Sequence, residues 1–148
     1  MKLIRTNSGN LDFIKLIKSL DLYLAEKDGD EHSFYDQFNK IDQIKYVVVV
    51  YENQIPIGCG ALKQYDEQSI EIKRMYTSPK SRGKGIASVI LKALEEWSLE
   101  LSYKKCILET GIKQVEAIGL YKKNGYKIIT NYGQYLNKEA SKCFEKLI

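Results

Sequence analysis

The chain has 148 residues, of which 44% are hydrophobic and 28% charged, and this is the composition of an ordinary globular protein. We expect a single domain over residues 1–148. No apolar run reaches the roughly 18 residues that a membrane span requires, and residues 1–10 lack the apolar core of a signal peptide, so we expect a cytoplasmic protein. The net charge of +4 does not by itself indicate nucleic-acid binding.

Two strands and two helices are predicted for the first third of the chain. Residues 2–6 form a short strand, and apolar residues spaced by three and four predict a helix over residues 11–25. A second, short helix is predicted around residues 33–41. The apolar run at residues 45–52 then has the length of a buried strand.

Two further strands follow that run after short turns. They are predicted over residues 55–65 and 69–77, and the turns between the three strands are only a few residues long. Strands joined in this way pair with their neighbours in opposite directions. The middle of the chain is therefore predicted to be an antiparallel meander.

The second half of the chain alternates between helices and strands. The helix over residues 85–101 carries an apolar face made of Ile86, Val89, Ile90, Ala93, Leu94, Trp97 and Leu101. The strand after it is expected to run parallel to residues 69–77, because a helix separates the two. The later elements are that strand over 104–111, a helix over 113–125, and strands over 126–130 and 141–148. The predicted fold class is a mixed α/β sheet.

Cysteine and histidine offer little for metal binding or nucleophilic catalysis. Cys59, Cys106 and Cys143 are far apart, form no CxxC pair and lie in predicted strands, so we expect buried, reduced thiols. The one histidine, His32, lies in the polar run EKDGDEHSF, which is a poor place for a catalytic base. We therefore expect no metal site and no acyl-enzyme intermediate.

The turn before the helix at 85–101 is unusually basic. Residues 73–84 contain no acidic side chain, whereas Glu95, Glu96 and Glu100 follow toward the end of the helix. This arrangement opposes the helix dipole, at a cost of a few tenths to about 1 kcal/mol for each charge. Either the turn is simply a solvated basic segment or it binds an anion through free backbone N–H groups. The basic residues are Lys73, Arg74, Lys80, Arg82 and Lys84.

Two common nucleotide-binding patterns do not fit this turn. The phosphate-binding loop GxxxxGK[ST] is absent, and the dinucleotide pattern GxGxxG fails because Ser88 stands at its third glycine. An ATP or nicotinamide enzyme is therefore disfavoured.

The turn resembles instead the (Q/R)xxGx(G/A) loop of the GNAT acetyltransferase superfamily, through Arg82, Gly85 and Ala87. The resemblance implies the GNAT acyl-CoA N-acyltransferase fold, a mostly antiparallel sheet that splays at the cofactor site and has flanking helices. It implies acetyl-CoA as co-substrate and no metal. The implied pyrophosphate cradle is Arg82, Gly83, Lys84, Gly85, Ile86 and Ala87, and the implied thioester-holding strand end is Met75, Tyr76 and Thr77.

A second segment also resembles this family, through Gln114-x-x-Ala117-x-x-Leu120-Tyr121 followed by Gly125-Tyr126. Asparagine is more usual where Gln114 stands, and the resemblance implies that this side chain contacts the cofactor. It implies that Tyr121 lies by the cofactor sulfur and protonates the leaving thiolate. With unperturbed pKa values of about 10 for a phenol and 8.5 for a thiol, complete proton transfer costs about 2 kcal/mol, so the hydroxyl acts mainly as a hydrogen-bond donor during cleavage.

The general base is less well defined. Glu71 lies on the strand implied to hold the thioester and is the preferred candidate. Glu109, on the neighbouring strand, and a water chain are the alternatives. Instead of acting as the base, Glu71 could pair with Lys73 or Arg74 on a strand face.

The resemblance spans about residues 46–147 and is closest to small single-domain acetyltransferases of unassigned substrate. It implies direct transfer to a primary amine of a small molecule or peptide, with no nucleic-acid or membrane partner. Dimers are common in the family, and the C-terminal strand is a candidate contact. The alternative function is non-catalytic, either a coenzyme A sensor or a basic nucleic-acid-binding module. The candidates for lining the acceptor site are Tyr23, Phe34, Tyr35, Tyr132 and Tyr135.

Overall fold

A computed structural model describes residues 1–28 and 44–148. The strands are β1 (Lys2–Thr6), β2 (Tyr46–Glu52), β3 (Ile55–Gln64), β4 (Ser69–Thr77), β5 (Lys105–Gly111), β6 (Lys127–Ile129) and β7 (Ser141–Leu147). The helices are α1 (Leu11–Asp28), α2 (Ile86–Glu100) and α3 (Val115–Lys123), with short 3₁₀ turns at Pro79–Ser81 and Gly133–Tyr135. The predicted helix around residues 33–41 and His32 lie outside the described residues.

The described strands form one seven-stranded sheet in the order β1-β2-β3-β4-β5-β7-β6. All neighbours are antiparallel except β4 and β5, so the predicted meander and the parallel pair after it are both confirmed. The position of β7 was not predicted. It pairs with the whole of β5, from Lys105 opposite Leu147 to Gly111 opposite Ser141, and leaves β6 at the edge.

Helices cover both faces of the sheet, and the apolar run of β2 shows why. Val48 and Val50 belong to the core that packs under α2, whereas Val47 and Val49 belong to the core under α1. Successive side chains of a strand point to opposite faces, so a strand covered on both sides is apolar at every position. The helices are anchored by Phe13, Leu16 and Ile17 of α1 and by Ile90, Leu91 and Leu94 of α2.

The sheet opens between β4 and β5. These strands pair only at their beginning, where the last matched residues are Glu71 and Ile107. Beyond that point β5 continues along β7, while β4 stays with β3. The predicted splay of the sheet is therefore confirmed.

A β-bulge in β4 accompanies this opening. Tyr76 lies opposite Cys59 and Lys73 opposite Ala61, so Arg74 and Met75 together face Gly60. Arg74 has a left-handed φ of 58°, and its carbonyl accepts a hydrogen bond from the Cys59 thiol. A Cβ atom at Gly60 would lie 2.8 Å from side-chain atoms of Met75, Ile90 and Leu94, so a larger residue beside the bulge would force these side chains to move. Within the described part of the chain, no helix is long and apolar enough to cross a bilayer.

Candidate active site

An open cleft of about 380 Å³ lies beside the basic turn, and we call it the glycine cleft. Its floor is the end of β4, and its walls are the turn, the beginning of α2, and one side of α3. It is lined by Leu20, Tyr23, Met75, Tyr76, Thr77, Ser81, Arg82, Gly83, Gly85, Ile86, Ala87, Ser88, Gln114, Glu116, Ala117, Leu120, Tyr121 and Lys123.

The turn presents its backbone to this cleft. Gly83 and Gly85 have φ angles of 79° and 81°, which glycine adopts without a steric cost. A Cβ atom at either position would meet nothing within 4 Å, so the space in front of the turn is open. Gly85 caps α2 without a side-chain hydrogen bond, and the first N–H groups of a helix have no partner within it. The turn therefore fits an anionic group such as a pyrophosphate.

Arg82 folds back along the cleft. Its Nε atom donates to the Thr77 carbonyl at 2.9 Å, which ties the turn to the end of β4. Its guanidinium carbon lies 5.4 Å from the ring centre of Tyr23 and 5.7 Å from that of Tyr76. Tyr23 thus lines the glycine cleft, and it is absent from the second cavity described next. The exposed Lys84 is not among the described residues that line either cavity.

A second cavity of about 110 Å³ lies where β4 and β5 separate, and we call it the carboxylate pocket. Elements from distant parts of the chain meet there, namely α1, β4, β5, α3 and the turn after β6. It is lined by Leu20, Leu24, Glu71, Ile72, Lys73, Arg74, Met75, Glu109, Thr110, Gly111, Gln114, Ala117, Tyr121 and Tyr135.

Tyr121 lies between the two cavities and lines both of them. Its ring packs against Tyr126 and Phe144, with 5.9 Å between ring centres in each case. Its hydroxyl makes no hydrogen bond to any described residue. Burial, with a smaller effect of the Glu109 carboxylate, raises the pKa of Tyr121, so the phenol is protonated at neutral pH. A buried O–H group without a hydrogen bond to the described part of the chain is thus available at the junction of the cavities.

Gln114 is shared by the two cavities as well. It stands at the beginning of α3, and its side chain makes no capping hydrogen bond to that helix. The remaining shared residues are apolar: Leu20, Met75 and Ala117.

Both acidic candidates line the carboxylate pocket. Glu71 is 5% exposed, accepts a hydrogen bond from the Tyr132 hydroxyl at 2.5 Å, and lies 3.7 Å from the Lys73 ammonium. Glu109 accepts a hydrogen bond from the Ser141 hydroxyl at 2.7 Å. Glu71 therefore lines the opening between the strands and also pairs with Lys73, and its role as the base stays a prediction.

Ten of the eleven residues named as cofactor contacts line the glycine cleft, Lys84 being the exception. Among the acceptor-site candidates, Tyr135 lines the carboxylate pocket, and Tyr132 holds Glu71 from outside the lining. Phe34 and Tyr35 lie outside the described residues. The residue that sequence reasoning missed is Lys73. Its position two residues after Glu71, on the same face of a strand, was the signal available.

The three cysteines are buried and free, as expected. Burial raises the pKa of Cys59 to about 12 and the pKa values of Cys106 and Cys143 to about 11. These thiols are protonated at neutral pH, and none of them lines either cavity. Across residues 1–28 and 44–148, no group of three or more His, Cys, Asp or Glu side chains could hold a metal ion.

Comparison with known proteins identifies the family to which this fold belongs. A family model described as the acetyltransferase (GNAT) family matches residues 13–126. A protein named IAA acetyltransferase from Azospirillum brasilense is 29% identical over 136 residues, which cover 90% of this chain and 88% of that protein.

Two solved structures have the same fold. A putative acyl-CoA N-acyltransferase from Klebsiella pneumoniae superposes with a TM-score of 0.83 at 28% identity, covering 99% of this chain and 96% of that one. A GNAT family acetyltransferase from Elizabethkingia anophelis, with acetyl-CoA bound, superposes with a TM-score of 0.72 at 20% identity, covering 99% and 97% of the two chains.

Proposed function

Because this chain belongs to the GNAT acetyltransferase family, we propose that it transfers an acetyl group from acetyl-CoA to a primary amine of a small molecule or peptide. The transfer is direct, within a complex that holds both substrates. The observation that carries this proposal is the junction at Tyr121. There an open cleft with a backbone anion site meets a smaller pocket lined by two carboxylates, and a protonated phenol lies between them.

The glycine cleft is the site that acetyl-CoA would occupy. Acetyl-CoA supplies a thioester whose carbonyl carbon is open to attack by an amine. Backbone N–H groups at Gly83, Gly85 and Ala87 bind the pyrophosphate at the beginning of α2. The end of β4 lies free of β5, so the backbone of Met75 and Thr77 is accessible to an extended chain. Gln114 contacts the same ligand from the other wall.

Tyr121 is the proton donor. Its raised pKa keeps the hydroxyl protonated, and its position at the junction lets it donate to the departing sulfur. A proton held this tightly passes to the thiolate late in the reaction, so the hydroxyl acts first as a hydrogen-bond donor.

Glu71 is the proposed proton acceptor, either directly or through water. An alkylamine with a pKa of about 10.4 must lose a proton before it can attack, at a cost of about 4.6 kcal/mol at pH 7. Glu71 lines the pocket next to Tyr121 and has Lys73 at 3.7 Å. Glu109 is the second candidate on the facing strand.

Two observations support direct transfer over a covalent acyl-enzyme. Neither cavity is lined by a cysteine, and all three thiols have raised pKa values. A thiol that stays protonated is a poor nucleophile.

The experiment is acetyl-CoA turnover against a panel of amines, amino acids, polyamines and peptides, followed by the release of free thiol. We expect saturable thiol release with at least one class of acceptor. A protein that binds acetyl-CoA tightly and releases no thiol with any acceptor would favour the coenzyme A sensor instead. The carboxylate pocket argues against a sensor, because binding coenzyme A alone does not require it.

A further inference from the structure

The most unusual charge in the carboxylate pocket is the ammonium of Lys73. Its side chain is only 6% exposed and lines the pocket on the β4 side. Its nearest charged partner is Glu71, at 3.7 Å, which is longer than a hydrogen bond. Among the described residues Lys73 makes no side-chain hydrogen bond. Its three N–H donors are therefore held in a buried place without hydrogen-bond acceptors among the described residues.

The other charged groups of the pocket are held by residues outside its lining. Tyr132 donates to Glu71, Ser141 donates to Glu109, and Arg74 pairs with Asp21 at 2.6 Å. The charged partner of Lys73 among the described residues, Glu71, is by contrast itself part of the lining. Among the described charged groups of the pocket, the one without a hydrogen bond is thus a cation, and the ligand that would complete it carries an oxygen anion.

Resting on the proposed function, we propose that the acceptor is an amino acid or a similar amine that carries a carboxylate close to its nitrogen. Lys73 binds the carboxylate, and Glu71 and Glu109 face the amine. Standard bond lengths put the nitrogen and carboxyl carbon of an α-amino acid about 2.5 Å apart. The Glu71 carboxylate and the Lys73 ammonium are 3.7 Å apart and form a dipole of comparable length. An amino acid can lie antiparallel to this dipole, with its amine at Glu71 and its carboxylate at Lys73.

The same arrangement disfavours amines without an anionic group. A diamine or polyamine would satisfy the carboxylates but leave the Lys73 ammonium buried without an acceptor and facing another cation. Burial already lowers the pKa of Lys73, against the opposing effects of the Glu71 and Glu109 carboxylates. A bound carboxylate would favour the charged form of the lysine and remove that penalty.

The test compares amino acids with the amines that differ from them only by loss of the carboxylate, such as phenylalanine with phenethylamine and ornithine with putrescine. Free thiol is followed, and kcat and KM are measured separately. We expect each amino acid to have a kcat/KM about 10- to 100-fold higher than its matched amine, as expected for hydrogen bonds to a charged group. Equal or better use of the amines would overturn the proposal, and this comparison in the wild-type protein needs no variant.

The Lys73→Met variant then tests whether Lys73 causes the preference for amino acids over amines. We expect KM for the amino acids to rise about 10- to 100-fold, KM for the matched amines to stay the same or fall because the opposing ammonium is gone, and acetyl-CoA affinity to be retained as the evidence of folding. Lys92→Met, on the exposed side of α2 and outside both linings, is the control. An equal loss for amino acids and amines would contradict the assignment to Lys73.

Failure of this inference is distinguishable from failure of the proposed function. If no acceptor gives thiol release, calorimetry with the wild-type protein and coenzyme A measures amino-acid binding directly. Saturable binding that Lys73→Met weakens supports the anion site, and no binding overturns it. Absence of acetyl-CoA binding would count against the proposed function itself.

Discussion

The glycine cleft and the carboxylate pocket share Tyr121 and Gln114, yet they are built differently. The turn at the glycine cleft is exposed and offers backbone N–H groups from one short stretch of chain, with glycines at positive φ. The carboxylate pocket offers charged side chains from two strands, most of them buried, and hydrogen bonds from residues far away in the chain hold its carboxylates.

This difference has a physical reason. A turn followed by a helix can bind an anion with main-chain groups alone, and it requires only that no side chain obstructs them. Buried carboxylates and a buried ammonium are tolerated only where hydrogen bonds and opposite charges compensate their desolvation. A main-chain anion site is therefore encoded by a short sequence motif, whereas a pocket of buried charges depends on the surrounding fold. The contrast leads to four predictions.

The largest effect is expected at the junction of the two cavities. Tyr121→Phe removes the phenolic donor and should lower kcat by about 100- to 10,000-fold while leaving acetyl-CoA affinity almost unchanged. Steady-state kinetics and calorimetry measure the two quantities. The matched control is Tyr126→Phe. Tyr126 lines neither cavity, and the variant removes its buried hydroxyl, which donates to Glu95. An unchanged kcat in Tyr121→Phe would remove the role assigned to this residue.

The next effect tests the backbone site. Gly85→Glu puts a side chain on a residue with φ of 81°, at a strain of about 1–2 kcal/mol, and adds a negative charge at the proposed pyrophosphate site. We expect acetyl-CoA affinity to fall roughly 1,000-fold by calorimetry. Gly119→Glu, on an exposed position of α3 outside both linings, adds the same charge and should bind normally. Normal binding by Gly85→Glu would mean that the turn is only a solvated basic segment.

The third prediction distinguishes Glu71 from Glu109 as the general base. Glu71→Gln should lower kcat/KM about 100-fold, because the amide cannot accept the proton. Glu109→Gln is the matched comparison, and we expect a smaller effect from it. The reverse order would assign the base to Glu109. Thermal unfolding of both variants accompanies the kinetics, since Glu71 is also the ion-pair partner of Lys73.

The smallest effect concerns pH and stability. Burial raises the pKa values of Tyr121, Tyr126, Tyr132 and Tyr135 above that of a free phenol. Above pH 10 the unfolded chain loses these protons and the folded chain keeps them, so the folded state binds more protons and stability falls as pH rises. Chemical denaturation between pH 8 and 11 should show a constant free energy of unfolding and then a decline. A rising stability above pH 10 would contradict the burial of these phenols around the carboxylate pocket.

Much of the fold follows from local patterns in the chain. Residues 2–6 and 69–77 were predicted with the bounds that the structure has, and α2 differs by one residue at each end. Alternation and helical spacing are properties of neighbouring residues, so a single sequence carries them. The predicted acetyltransferase family, the mixed sheet with its splay, and the acyltransferase class are confirmed.

The features that were not predicted depend on contacts between distant residues. The insertion of β7 between β5 and β6 is one of them, and the bulge at Arg74 is another. The hydrogen bond from Tyr132 to Glu71 joins residues 61 positions apart, and no local pattern indicates it.

The sequence by itself determined the glycine turn, because the proposed anion site needs only a strand, two glycines and a helix in succession. The tertiary structure alone decided which side chains meet where β4 leaves β5. A charge can be buried at that opening only where residues from other strands and loops compensate it, and their arrangement exists only in the folded chain. Lys73, an ordinary basic residue in the sequence, becomes a buried cation of the second cavity beside Glu71, which the distant Tyr132 holds by a hydrogen bond.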